Sequence, residues 1–257
     1  MPQPSATKPL GSPFVEMQSV DSTNNYARQQ LHAGLAQHGM AFFAHEQVAG
    51  KGQRNKVWMT EKGKNILLSV VVKPLPLQLA QQFQLSACVA VAVHDFFMKY
   101  AGEDSKIKWP NDLYWQDRKA GGILVESVVG SRETGPGIWE WSIVGIGINI
   151  NQVVFDPEIK NPVSLKQITG KYFDTVELAK ELCTIVDKRF TELIEEGFEN
   201  IYNSYLTHLY KRKAIVKLKK GSAVFEALIK DVSPAGMLMT QHAISEEFNF
   251  GEIEWVV

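Results

Sequence analysis

The sequence predicts an α+β fold in two parts, a mixed body over 13–209 and a small β-barrel over 210–257, preceded by a flexible tail at 1–12. Three observations carry this. Apolar, β-branched runs alternate with segments of helical periodicity up to about Leu209. From Lys211 onward the chain holds only short β-type runs, "AIVKL", "AVFEALI", "GMLMT", "EEFNF" and "EIEWV", punctuated by "KKGS", "SPAG" and Gly251. So many strands in so short a span favour a closed barrel, because closure removes exposed edges. Finally, 257 residues suffice for one large domain and a small module.

In chain order, the polar, proline-rich start "MPQPSATKPLGSP" reads as the loose tail. "FVEMQSVDSTNNYARQQL" then passes from a strand into a helix, with Asp21, Ser22 and Thr23 suited to cap the helix start. "MAFFAHEQ" is a short strand, followed by the glycine-bearing loop "VAGKGQRNKVWMTEKGKN". "ILLSVVVKP" is a strand closed by Pro74. From Gln78 to Tyr100, Leu79, Phe83, Ala87, Ala90, Val91 and Phe97 recur at helical spacing. "IKWPNDLYWQDRKAGGILVES" combines strands with a Pro-Asn-Asp turn, "GSRETGPG" is a turn, and "WEWSIVGIGININ" is a further strand. "DTVELAKELCTIVDKRFTELIEEGF" is an amphipathic helix capped by Asp174 or Thr175, and a shorter helix reaches about Leu209.

Composition excludes several classes. Hydrophobic content of 45% and charged content of 21% fit a globular protein rather than a disordered or fibrous one. A net charge of −1 argues against general nucleic-acid binding. Cys88 and Cys183 sit far apart in apolar, helix-like stretches, so they read as reduced core residues of a cytoplasmic protein. No stretch is long and apolar enough to span a membrane, and the start lacks the apolar core of a secretory signal.

The loop from Gly50 to Lys64 sets Lys51, Arg54, Lys56, Lys62 and Lys64 against the single acid Glu61. Amide donors and cations together suit an anionic ligand such as phosphate or carboxylate, although an exposed surface loop has the same composition. "GKGQRN" lacks the third glycine of a dinucleotide fingerprint, and "GKN" lacks the Ser or Thr of a P-loop. Three further segments each have a bland reading as well. "DSTNN" offers hydroxyls and amides to a small polar group, or a helix cap; "KWPND" offers a cation, an amide and a carboxylate, or a plain strand-to-turn joint. "GIGINI" lets a ligand approach a strand, or marks a bulge.

In this order, "DSTNNYA", "EQVAGKGQRNKVW", "KWPNDLYWQDRKAGGILVE", "GIGININ" and the tail "EFNFGEIEWV" resemble the biotin–protein ligases, over nearly the whole chain from about Phe14. The resemblance implies a catalytic domain related to class II aminoacyl-tRNA synthetases and an SH3-like C-terminal barrel. It implies that biotin and Mg-ATP form biotinyl-5′-adenylate, and that a lysine of a biotin carboxyl carrier protein, in acetyl-CoA carboxylase or a related carboxylase, then takes the biotin. Ser22, Thr23 and Gln47 would hydrogen-bond biotin's ureido ring, with Asn24 supporting that turn. Gly50 belongs to the same set, and Lys51 stands where the family places an arginine over the biotin carboxylate. Lys119 would bridge that carboxylate and the α-phosphate as the catalytic cation, with Gly122 and Leu124 lining the biotin slot. Trp58 would pack on adenine; Gln53, Arg54 and Lys56 would follow the adenylate; Asn111 and Asn149 would contact nucleotide. Lys108 and Asp112 would handle phosphate and Mg2+.

The chain departs from the family's arginine-rich "GRGRRGR" loop by reading "GKGQRNK", so Gln53 stands in place of the second arginine. The strand near Phe14 leaves no room for the helix-turn-helix domain of the ligase-repressor form, so DNA binding is not expected. The basic run "KRKAIVKLKK" reads as a solvated face or as a dock for an acidic carrier domain. The family includes monomers and homodimers, and spacing does not choose between them. Two rival readings remain: a lipoate–protein ligase, whose dithiolane asks for an apolar pocket, and a non-catalytic biotin-binding sensor.

Overall fold

The computed structural model describes residues 8–130 and 138–256. A seven-stranded sheet forms the body, in the order β1-β2-β3-β7-β6-β5-β4. Its strands are β1 (Phe14–Met17), β2 (Ala41–Ala44), β3 (Asn65–Val72), β4 (Ser105–Lys108), β5 (Asp112–Trp115), β6 (Arg118–Gly130) and β7 (Ile138–Asn149). Only β1 and β2 run parallel; the remaining neighbours are antiparallel. Among the described residues five α-helices accompany it: α1 (Thr23–His32), α2 (Gln82–Ala101), α3 (Leu165–Thr169), α4 (Thr175–Glu195) and α5 (Glu199–Thr207). The expected turn at "GSRETGPG" lies, from residue 131 on, outside the described residues.

Strand periodicity explains the layering. Side chains alternate across a strand, and in β3 every residue is buried because both faces are covered. Ile66, Leu68, Val70 and Val72 join the main core with α2, α4 and α5. Val71 packs instead with Ala27 of α1, Phe42 and Ile143 on the opposite face. Burying a side chain of this size contributes about 1.5–3 kcal/mol each. The face under α1 is the one that carries the polar residues discussed below.

The described part of the expected tail is not loose. Leu10 is buried in the core, and its N–H donates to Asp187 Oδ1 at 2.7 Å. The cap of α1 also differs from expectation. Ser22 holds the capping position but accepts no hydrogen bond there; Gln47 Oε1 accepts from Thr23 N at 2.7 Å instead. Asp174 does cap α4, accepting from the Val176 and Glu177 N–H groups.

The C-terminal strands are β8 (Ile215–Lys220), β9 (Ala223–Val232), β10 (Leu238–Gln241), β11 (Ser245–Phe248) and β12 (Glu254–Trp255). They form one antiparallel sheet in the order β11-β10-β9-β8-β12. Among the described residues β11 and β12 do not pair, so the barrel closure expected from the sequence is not made by backbone hydrogen bonds. The edges are managed otherwise: β12 is only two residues long, and β11 carries Glu246 and Glu247.

Candidate active site

A cleft of about 1120 Å³ opens on the α1 face of the large sheet, bounded by the 51–59 loop, the 155–162 segment and the C-terminal residues Phe250, Ile253, Glu254 and Trp255. Of the residues singled out in the sequence, Ser22, Thr23, Asn24, Gln47, Lys51, Gln53, Arg54, Lys56, Trp58, Lys108, Asn111, Asp112, Lys119, Gly122, Leu124 and Asn149 all line it. Gly50 does not. It lies behind Trp58, whose backbone N–H donates to the Gly50 carbonyl at 2.9 Å.

One end is a hydrogen-bonded cluster built on the start of α1. Gln47 Oε1 accepts from both the backbone N–H and the hydroxyl of Thr23, at 2.7 and 3.0 Å. Ser69 Oγ lies 2.7 Å from Thr23 Oγ1 and 2.6 Å from Asn24 Oδ1. Asn24 Nδ2 donates to Glu126 Oε2 at 2.7 Å, and Glu126 pairs with Arg28 at 3.0 Å. Gln47 is thus oriented by its oxygen, which leaves its NH2 group as a donor. Gly145 lies under Asn24, and any side chain there would run into the Asn24 amide. Ser69, Glu126 and Arg28 were not singled out from sequence. Ser69 did carry a signal, as the one polar residue inside "ILLSVVV".

The middle is a cation over glycine. Lys119 Nζ lies 2.6 Å from Asp112 Oδ1, each side chain being 29% exposed. It is 5.8 Å from the Trp58 ring centre and 3.6 Å from where a Gly122 Cβ would sit. Residues 119 and 122 share a face despite their odd separation. The β5–β6 register shifts between Leu113 and Tyr114, so Ala120 turns into the core while Lys119 turns into the cleft. The 161–163 segment pins this point: Lys119 N donates to Asn161 O at 2.7 Å, and Val163 N donates to Lys119 O at 2.9 Å.

Trp58 lies flat on β7, because Gly147 offers no side chain; a Cβ there would sit 2.7 Å from the indole. Its indole N–H is buried without a partner among the described residues. Asn111 Nδ2 donates to the Ile123 carbonyl and Asn149 Nδ2 to Val163 O at 3.1 Å, which leaves their side-chain oxygens for a ligand. Lys51 lies at the mouth and donates to Asn25 Oδ1 at 2.6 Å. Lys56 is exposed beside it. Arg54, with φ of 54°, turns away from its neighbour Gln53 and sets its guanidinium 5.1 Å from the Phe250 ring centre.

At the far end Lys108 is buried, and burial draws its ammonium down to about 8. Its Nζ donates to Tyr114 Oη at 3.0 Å. Asp112, paired with Lys119, is a carboxylate of the cleft that could share a magnesium ion with phosphate oxygens. Among the described residues no group of three His, Cys, Asp or Glu side chains could hold a metal ion. No helix of the described residues is long and apolar enough to cross a membrane.

Residues 16–148 match the biotin/lipoate A/B protein ligase family. The chain is 32% identical over 199 residues to the bifunctional ligase/repressor BirA of Bacillus spizizenii, covering 76% of this chain and 59% of that protein. It is 31% identical over 226 residues to the biotin–acetyl-CoA-carboxylase ligase of Paracoccus denitrificans, covering 85% and 90%. The biotin protein ligase of Aquifex aeolicus in complex with biotin and ATP superposes with a TM-score of 0.79 at 23% identity, covering 95% of this chain and 99% of that one. The latter likeness establishes the fold alone. The family match covers more than half of the chain, and the Paracoccus relative is aligned over most of both lengths: the chain belongs to the biotin/lipoate A/B protein ligase family.

Proposed function

We propose that the chain is an ATP-dependent biotin–protein ligase. The observation that carries the reading is the meeting, in one cleft, of an oriented hydroxyl–amide cluster and a cation set over glycine. A ureido ring has two N–H donors and one carbonyl acceptor, which such a cluster can answer. A dithiolane has neither, so lipoate would give the Gln47 NH2 group and the Thr23–Ser69 hydroxyl cluster beside it no polar partner. Sites built to hydrogen-bond a substrate reject analogues lacking the partner by about 10⁴–10⁵.

In the first step a biotin carboxylate oxygen attacks the α-phosphorus of ATP; the bond to the β-phosphate bridge oxygen breaks and pyrophosphate leaves. Lys119 stands where negative charge gathers between carboxylate and α-phosphate, and a fixed cation there lowers the barrier. Lys51 and Lys56 close the mouth, Trp58 and the oxygens of Asn111 and Asn149 take the nucleoside, and Lys108 takes phosphate. Asp112 would share the magnesium ion, which screens the phosphate charge. In the second step a carrier lysine amine attacks the acyl carbon, AMP leaves with the bonding pair, and the amine proton is lost to water. The expected carrier is a biotin carboxyl carrier domain. Relatives named as a biotin–acetyl-CoA-carboxylase ligase and as biotin protein ligases support this reading.

Pyrophosphate release with ATP and biotin, then with ATP and lipoate, tests it. Release with biotin alone is the expected result. Release with lipoate alone would make the chain a lipoate ligase, and release with neither would make it a sensor.

A further inference from the structure

Lys108 is only 6% exposed, yet among the described residues it forms no ion pair. Three rings surround its Nζ instead: Tyr114 with its centre at 4.5 Å, Trp255 at 5.2 Å and Tyr210 at 5.9 Å. Tyr114 belongs to the adjacent strand β5, but Tyr210 precedes the C-terminal sheet and Trp255 lies on β12. These last two are held firmly. Tyr210 N donates to Ile107 O at 2.8 Å, and its hydroxyl donates to Asp117 Oδ1 at 2.6 Å. Trp255 pairs with Leu218 of β8, and its ring centre is 5.9 Å from that of Tyr210.

We propose that Tyr210 and Trp255 are positioning residues that hold Lys108 in an aromatic box at the phosphate end of the cleft. This rests on the reading that the cleft takes ATP. The physical argument is one of contrast. Lys119 is held by a carboxylate, which offsets its charge; an aromatic face attracts an ammonium through its quadrupole and leaves the unit charge uncancelled. Lys108 is therefore fixed in place and still able to meet phosphate with a full positive charge. Burial draws its ammonium down, Asp112 and Asp117 draw it back up, and Lys119 and Lys56 oppose them, leaving it mostly protonated at pH 7. The hydroxyls of Tyr114 and Tyr210 are pushed up by burial, so the box itself stays neutral.

Two substitutions separate ring from bulk: Trp255→Phe keeps a quadrupole, whereas Trp255→Leu keeps apolar volume without one. Trace acetylation of the full chain across pH, read on the Lys108 peptide by mass spectrometry, reports how guarded the amine is without any appeal to activity. Lys108 is expected to label slowly, with a midpoint near 8, in the native chain and in Trp255→Phe. In Trp255→Leu labelling should rise several-fold, and the KM for ATP in pyrophosphate release should rise at least threefold with kcat and biotin binding little changed. Equal Lys108 labelling in the Phe and Leu variants would overturn the box. A changed labelling with an unchanged KM for ATP would overturn the positioning role. If labelling responds but the native chain releases no pyrophosphate with either acid, the box stands and the ligase reading falls.

Discussion

Lys119→Ala separates catalysis from folding. In the folded protein Nζ is 2.6 Å from Asp112 Oδ1, with both side chains about a third exposed. A pair so wetted contributes roughly 0–1 kcal/mol to stability, and for a chain of this size that moves Tm by no more than about 4 °C. The reaction is affected far more. A unit charge about 4 Å from the charge developing at the α-phosphate, at an effective dielectric constant near 20, is worth roughly 4 kcal/mol, an upper bound here because Asp112 offsets part of it. Each 1.36 kcal/mol is about tenfold in rate, so adenylation should fall by up to roughly a thousandfold. Pyrophosphate release under saturating biotin and ATP measures the rate, calorimetry measures biotin binding, and a thermal melt reports the fold. Biotin should still bind, since the Thr23–Ser69–Asn24–Gln47 cluster is untouched. Adenylation within about tenfold of the native rate, in a variant that melts normally, would refute the assignment of Lys119 as the cation at the reacting atoms.

Gln53→Arg should slow escape of the acyl-adenylate, because Arg54 is turned to Phe250 and leaves the adenylate loop without a guanidinium at that place; release measured without acceptor protein, if equal in both forms, removes the idea. His208 gives a pH prediction. Burial, then the His94 ring stacked at 4.1 Å, pushes it down to about 4, below its unfolded value near 6.5. The unfolded chain therefore binds the extra proton first, so this contribution to stability is complete above pH 6.5 and is lost as pH falls towards 4. His208→Asn should flatten that acid limb in a series of thermal melts; parallel limbs for the two proteins would show that another group governs it.

Much of this was legible because the signals were local. The β-branched run "ILLSVVV" closed by Pro74 locates β3, and the helical spacing of Phe83, Ala87, Ala90 and Phe97 locates α2. Lys119, Trp58 and the glycines of "GIG" also stand out in the sequence, and the structure brings them to one cleft. Glu126 was not, because its role depends on meeting Asn24, 102 residues away, across a register that no single strand encodes. The α1 cap failed for the same reason: Ser22 fits the local rule, but the acceptor for the Thr23 N–H came from Gln47, 24 residues beyond Thr23. The small β domain is read from its run of short strands, but strand count does not say how the ends of its sheet are handled, and among the described residues a two-residue β12 and an acidic β11 stand there without pairing to each other.

Register also explains why glycines and charges share this cleft. On β7, Ile143, Gly145, Gly147 and Asn149 fall on one face by strict alternation, while Val144, Ile146 and Ile148 face the core. Emptying two successive positions of that face lets Asn24 and Trp58 lie against the backbone. The same alternation on β6 would put Ala120 beside Gly122 in the cleft and send Lys119 into the core. The register shift opposite Leu113 and Tyr114 reverses that outcome. A lysine forced into an apolar core would need to lose its charge, so the bulge is what allows "RKAGG" to present an ammonium over a glycine floor. Removing Ala120 would set Lys119 two residues from Gly122, on one face by strict alternation, so the ammonium should stay at the site and pyrophosphate release should persist, whereas its loss would show that the bulge itself is needed.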